Sequence, residues 1–138
     1  GRLPMYFAEQ KKDSLFARLG GEAGVRALVE TFYDIIEQDP AARALHELHL
    51  QGSGVAHSRA EQFNYLCGFF GGPQHYVMRH GHARLREIHQ HVPIGTDMRD
   101  LWLDCMVKAL DQQGIAPDLA AQMMRHFTVA AETSRNRD

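Results

Sequence analysis

Apolar residues recur every three or four positions through most of the chain, and this spacing predicts helices. The clearest stretch covers residues 22–38 and ends before an Asp-Pro pair, since proline disfavours helix continuation. Further helices are predicted around residues 15–19, 41–50, 58–70, 96–113 and 117–134, with glycine-rich breaks between them. The expected N-terminal caps are Asp13 or Ser14, Ser58, and Thr96 or Asp97. Strand-like alternation is missing from the sequence, so the pattern indicates an all-α fold.

The segment from Gln74 to His91 breaks the helical pattern. It is rich in His, Arg and Gly, which is poor material for a core, so we expect it to wrap around a bound group. Within it, His89 follows Leu85 and Ile88 on a short helical turn. A backbone carbonyl within reach would fix the tautomer of the His89 ring and leave its other nitrogen free for a metal. A plain surface histidine is the alternative interpretation.

Length and composition favour one domain. The chain has 138 residues, of which 44% are hydrophobic, and we divide it into a polar leader (1–13), a domain (14–134) and a tail (135–138). The net charge of -2 offers no basic surface for nucleic acid or membrane partners. No apolar stretch approaches the roughly 18 to 20 residues of a membrane span, so we expect a cytoplasmic protein. Cys67 and Cys105 are expected as reduced core thiols.

Other site chemistries find little support in the sequence. The metalloprotease pattern His-Glu-x-x-His is missing, as are the nucleophile elbow Gly-x-Ser-x-Gly and a phosphate-binding loop. The pairs His80 with His82 and His89 with His91 are two residues apart, a spacing that separates side chains around a helix and disfavours zinc. Neither cysteine belongs to a Cys-x-x-Cys-His motif, so any haem would be held without covalent attachment.

Several short motifs, taken in order, resemble those of the group II truncated haemoglobins. They are Leu19-Gly20-Gly21, Phe32-Tyr33, the segments from Gly71 to Tyr76 and from Gly81 to Arg86, His89, and the segment from Arg99 to Met106. The matching pieces span residues 15–130, and their joint spacing is specific although each is weak alone. The resemblance implies a shortened globin, with two helices over two around non-covalent haem b, and His89 as the proximal ligand of the haem iron.

The resemblance also implies a polar distal pocket. Tyr33 and Trp102 match the family's donors to bound O2, and His46 matches a position that faces the haem. Counting back from the Gly-Gly-Pro break along an unbroken helix places Ser58 and Gln62 nearest the ligand. Gln62 departs from the apolar residue that is commoner there, and adds a donor that either binds the ligand or pairs with Tyr33.

Further contacts to the haem are expected from polar rim residues and apolar wall residues. The rim is assigned to Tyr76, His82 and Arg84, since arginine pairs with anionic propionates. The expected wall, whose residues equally suit a plain core, consists of Phe32, Phe63, Leu66, Phe70, Ile88, Val92, Ile94 and Met106.

Three functional hypotheses follow. The first is a haem protein that binds O2, NO, CO or similar ligands and serves redox chemistry on nitric oxide or peroxide, or O2 sensing, rather than bulk transport. Such turnover needs an external electron donor. The second is a six-coordinate electron carrier or sensor with His46 or His57 as the distal ligand. The third is a helical interaction module in which His89 is only structural. Each is expected as a monomer or weak homodimer.

Overall fold

The computed structural model describes residues 14–138, which form eight α-helices. The helices are α1 (Leu15–Leu19), α2 (Gly21–Gln38), α3 (Arg43–Gln51), α4 (Val55–Phe69), α5 (His75–His80), α6 (Leu85–His89), α7 (Thr96–Gln112) and α8 (Pro117–Ser134). A 3-10 turn, Pro40–Ala42, joins α2 to α3. Residues 14–138 contain no strand, so the all-α prediction is confirmed. The expected leader and the alternative cap Asp13 lie outside the described residues.

The core lies between two pairs of long helices. Helix α2 packs against α4 and α7, and α7 packs against α8, which gives the expected two-over-two arrangement. The buried side chains of α2 recur at helical spacing: Val25, Leu28, Val29, Phe32, Tyr33, Ile35 and Ile36. Cys67 and Cys105 are free, buried thiols, as predicted. Within residues 14–138, no helix combines the length and the apolar character needed to cross a membrane.

A close backbone contact joins the first two helices. The Ser14 hydroxyl caps α1 by accepting the backbone N–H of Ala17 at 3.1 Å. Gly20 then turns the chain with φ of +106°, a conformation that favours glycine. Helix α2 crosses so close to α1 that a Cβ added to Gly24 would lie 1.9 Å from the carbonyl oxygen of Leu19. Only glycine therefore permits this packing.

The predicted start of α4 at Ser58 is wrong. The helix begins one turn earlier, at Val55, after Gly54 has redirected the chain with φ of +90°. The backbone N–H of Ser58 donates to the Gly54 carbonyl at 3.2 Å, so Ser58 is already inside the helix. Glu61, three residues after Ser58, binds His80 on α5 at 2.6 Å. The helix therefore starts after a glycine with positive φ and not at the predicted side-chain cap.

The loop before α7 also differs from its prediction. Neither Thr96 nor Asp97 is the N-cap, because the extended residue Gly95 precedes the helix and no side chain caps it. The backbone of Ile94 is instead hydrogen-bonded to Asn136 in the segment 135–138, which the sequence suggested was a tail. This segment therefore contacts the loop between α6 and α7.

Candidate functional site

A cavity of about 420 Å³ is lined by residues from α2 to α8. Such a wall of apolar side chains with a few polar groups is typical of a cofactor or ligand site. The apolar and aromatic part of the wall includes Leu45, Leu48, Leu66, Phe69, Leu85, Ile88, Val92, Ile94, Met98 and Phe127. Leu66, Ile88, Val92 and Ile94 were among the predicted wall residues.

His89 ends α6 and lies on this wall. Its Nδ1 is 2.8 Å from the Leu85 carbonyl oxygen, so Nδ1 carries the proton and donates, as the sequence predicted. Burial lowers the pKa of His89, and the bond to Leu85 opposes this shift only in part. The ring is therefore neutral near pH 7, and Nε2 has no hydrogen-bond partner among residues 14–138. This is the state that a metal-binding imidazole requires.

A second histidine has the same arrangement, and it is not the predicted one. Nδ1 of His49 is 2.8 Å from the Leu45 carbonyl oxygen, and the His49 ring lies on the cavity wall. Burial lowers the pKa of His49, so its ring is also neutral. His46 is partly exposed and is not on the wall. Because Leu45 is buried and His49 shares its helix face, α3 directs His49 inward, and the placement of His46 is corrected.

Three hydrogen-bond donors line the cavity beside these rings: Tyr33, Gln62 and Trp102. In the part of the chain that the structure describes, no protein group bonds to the Tyr33 hydroxyl, the Gln62 amide or the Trp102 indole nitrogen, so Gln62 does not pair with Tyr33. Burial raises the pKa of Tyr33, and the charge of Arg59 lowers it only in part. The hydroxyl therefore keeps its proton and is available as a donor.

Aromatic packing fixes the orientation of two of these donors. The Phe32 ring centroid is 5.0 Å from those of Tyr33 and Trp102, and Phe127 packs on Trp102 at 5.4 Å. The Tyr33 ring also meets the edge of His49 at 5.5 Å. Such edge-to-face and tilted contacts restrict rotation of the rings, so the donors are preorganised.

A charged cluster secures α4 against α2 next to Tyr33. Arg59 donates to Glu30 at 2.9 Å, to Asp34 at 2.7 Å and to Glu37. Its guanidinium lies 5.8 Å from the Tyr33 ring centroid. The three carboxylates are 22 to 29 residues from Arg59 in the sequence, and no local pattern indicated that they form a cluster. It holds the helix that carries Ser58 and Gln62, both of which line the cavity.

A polar rim closes one side of the cavity between α4 and α5. The Glu61 carboxylate binds Nε2 of His80 at 2.6 Å, and the Tyr76 ring lies on His80 with centroids 4.3 Å apart. Tyr76 was predicted at the rim, and His57, the alternative distal ligand, also lies on the wall. Tyr65 lines the same side of the cavity, and burial raises the pKa of its hydroxyl to about 12.

Four predicted apolar contacts lie off the wall. Phe32, Phe70 and Met106 are buried in the core behind it, where the helix pairs meet. Phe63 faces another part of the surface, with the Arg26 guanidinium 3.9 Å above its ring. Their helical spacing indicated burial correctly but did not distinguish core from cavity, because both are apolar surroundings.

The predicted polar rim residues of the loop before α6 also lie elsewhere. Arg84 is exposed and donates to Glu87 at 2.7 Å, and Nδ1 of His82 accepts the backbone N–H of Arg84 at 3.1 Å. These local bonds orient both side chains away from the wall. An arginine that was not predicted, Arg99 of α7, lies on it and is paired with Glu132.

The described residues fit a haem group. One wall presents a neutral imidazole with a free nitrogen, the aromatic and aliphatic side chains suit a porphyrin, and hydrogen-bond donors lie within the same cavity. Helical pairs two over two around such a cavity define a globin. The chain belongs to the bacterial-like globin family, whose family model matches residues 14–136.

Individual relatives narrow the family to truncated haemoglobins of group II. The chain is 31% identical over 99 residues to group 2 truncated hemoglobin YjbI of Bacillus subtilis, covering 72% of this chain and 71% of the relative. The cold-adapted truncated hemoglobin of Pseudoalteromonas haloplanktis is 35% identical, with a TM-score of 0.85 and coverage of 91% and 100%. The group II 2-on-2 hemoglobin of Agrobacterium tumefaciens is 34% identical, with a TM-score of 0.83 and coverage of 91% and 95%.

Proposed function

We propose that this protein binds O2 at a haem b held by His89 and serves redox chemistry or O2 sensing rather than bulk transport. Membership of the globin family implies haem and small-ligand binding. The observation that carries the proposal is the His89 imidazole, which is neutral, bonded through Nδ1 to Leu85 and free at Nε2. Haem would supply an iron that this imidazole could bind and that could hold a diatomic ligand.

Tyr33, Gln62 and Trp102 determine how tightly O2 is held. Bound O2 carries partial negative charge, which donors in a low-dielectric cavity stabilise by about 1 kcal/mol each. Because the three donors have no protein partner in residues 14–138, a ligand does not have to break a bond to use them. The expected result is slow O2 release, which suits redox chemistry or sensing. Turnover of nitric oxide or peroxide also requires an external electron donor.

A six-coordinate haem is the second candidate. The observation that favours it is His49, whose ring is neutral, bonded through Nδ1 to its own helix and free at Nε2 in the described chain, like His89. His49 replaces His46 in this hypothesis, and His57 remains on the wall as the other choice. Ligation by either would close the O2 position and favour electron transfer.

Optical spectra of the reduced, haem-loaded protein test this proposal. A five-coordinate spectrum that converts to a stable, reversible O2 complex supports O2 binding. A low-spin six-coordinate spectrum before O2 is added contradicts it and supports the second candidate. In that case His49→Leu and His57→Leu, prepared as a matched pair, identify the ligand, because only one of them restores the five-coordinate spectrum.

A further inference from the structure

Helix α6, which carries the haem ligand His89, is held by little packing of its own. It spans only the five residues Leu85–His89, of which Leu85, Ile88 and His89 are partly buried and none is fully buried, and no side chain caps its start. The residues between α6 and α7 form no helix. Those of their backbone N–H and carbonyl groups that have no local partner bind water or another part of the chain.

Asn136 supplies hydrogen-bond partners for the backbone of this segment. Its Nδ2 donates to the carbonyl oxygens of His89 at 3.0 Å and Val92 at 2.8 Å, and its Oδ1 accepts the N–H of Ile94 at 2.9 Å. The backbone N–H of Asn136 adds a bond to the Ile94 carbonyl at 2.9 Å. One amide thus uses both donor hydrogens and its acceptor oxygen on the segment that begins at His89.

Asn136 is itself attached to a rigid part of the fold. It follows α8, which contacts α6 and α7. Two residues before it, the buried Ser134 donates to the Ala130 carbonyl at 2.9 Å, and both residues line the cavity. Glu132 is bonded to Arg99 of α7, which anchors the end of α8. The hydrogen bonds of the Asn136 amide therefore fix the end of α6 relative to the α7–α8 pair.

We propose that Asn136 is a positioning residue for His89, a role that rests on the proposed haem function. Its bond to the His89 carbonyl fixes the last turn of α6. This preserves the bond between the His89 ring and the Leu85 carbonyl, and so keeps Nε2 in one orientation toward the haem iron. Without the amide, α6 is free to tilt.

The test compares Asn136→Ala and Asn136→Asp with Arg137→Ala. Aspartate keeps the size of the side chain and its acceptor, but loses both donors and faces the His89 and Val92 carbonyls with oxygen. Arg137→Ala is the control, because the bond from its backbone N–H to Ile94 remains. The readouts are the iron–histidine stretching band in resonance Raman spectra of the reduced protein and the rate of haem transfer to apomyoglobin. Amide hydrogen exchange at Ile94 reports the contact in the haem-free protein.

We expect both Asn136 variants to shift the band to lower frequency and broaden it, and to release haem about tenfold faster, with the control at wild-type values. Exchange at Ile94 accelerates in Asn136→Ala. A lower melting temperature with an unchanged band and unchanged haem release overturns the proposal, as does an aspartate variant that matches wild type. Wild-type protein that takes up no haem refutes the proposed function itself, which separates the two failures.

Discussion

Replacing Tyr33 with phenylalanine isolates one donor of the proposed distal pocket. The change removes only the hydroxyl, and the ring keeps its contacts with Phe32 at 5.0 Å and His49 at 5.5 Å. No protein group in residues 14–138 is bonded to that hydroxyl, so none is left without a partner. Global stability should therefore change by less than about 1 kcal/mol. Bound O2, however, loses a hydrogen bond of about 1 to 1.4 kcal/mol, which raises its dissociation rate about fivefold to tenfold.

Stopped-flow displacement of O2 by excess CO measures this rate. CO dissociation from the same variant is the control, since bound CO carries less negative charge and depends less on a donor. We expect the O2 rate of Tyr33→Phe to rise far more than the CO rate. Equal effects on both ligands would contradict a hydrogen bond from Tyr33 to O2, because they would show a change in access to the cavity. An unchanged O2 rate would show that the Tyr33 hydroxyl does not reach the ligand.

Two further predictions concern the fold. Gly24→Ala should lower the free energy of unfolding in urea by more than about 2 kcal/mol, because its Cβ would lie 1.9 Å from the Leu19 carbonyl oxygen. Gly52→Ala is the control and should change it by less than about 0.5 kcal/mol, because its Cβ would make only an ordinary van der Waals contact, 3.7 Å from the His49 carbonyl oxygen. Similar values for the two variants would contradict the close packing of α1 on α2. Hydrogen bonds from two arginines lower the pKa of Glu132 from 4.5 to about 2. The stabilisation that these bonds give the folded protein is therefore complete above pH 4.5 and is lost as the pH falls toward 2. In Glu132→Gln the melting temperature should fall less steeply as the pH is lowered from 4.5 to 2. The same dependence of melting temperature on pH as in wild type would contradict the prediction.

The arrangement around His89 could be predicted because it depends on local sequence. Leu85 and His89 are four residues apart, and a bond from a ring nitrogen to the carbonyl one turn earlier needs only a single helical turn. The long helices follow in the same way from the spacing of their apolar residues. Such features require no knowledge of distant parts of the chain.

The histidine of α3 that lines the cavity was predicted wrongly because two candidates lie on one short helix. His46 and His49 are three residues apart, and only the rotation of α3 against the core decides between them. A repeated pattern would have favoured His49: both Leu45-His46-Glu47-Leu48-His49 and Leu85–His89 read Leu-x-Glu-aliphatic-His. Each places a histidine one turn after a leucine carbonyl.

Long-range polar contacts could not be predicted from patterns. The partners of Arg59 are 22 to 29 residues away, and Asn136 binds carbonyls 44 and 47 residues earlier. Side chains of these types are common on solvated surfaces, so their residue type alone does not indicate a partner. Only the packing of α2 on α4, and of α6 on α8, brings them together.

Haemin titration of three proteins tests whether His89 holds haem in this cavity. These are wild type, His89→Ala and His91→Ala, the last removing an exposed neighbour that does not line the cavity. We predict one Soret-absorbing haem per chain in wild type and in His91→Ala, and an altered, weakly held haem in His89→Ala. A His89→Ala protein with wild-type stoichiometry and spectrum would contradict the assignment of the proximal ligand. A wild-type protein that binds no haem would contradict the account of the site.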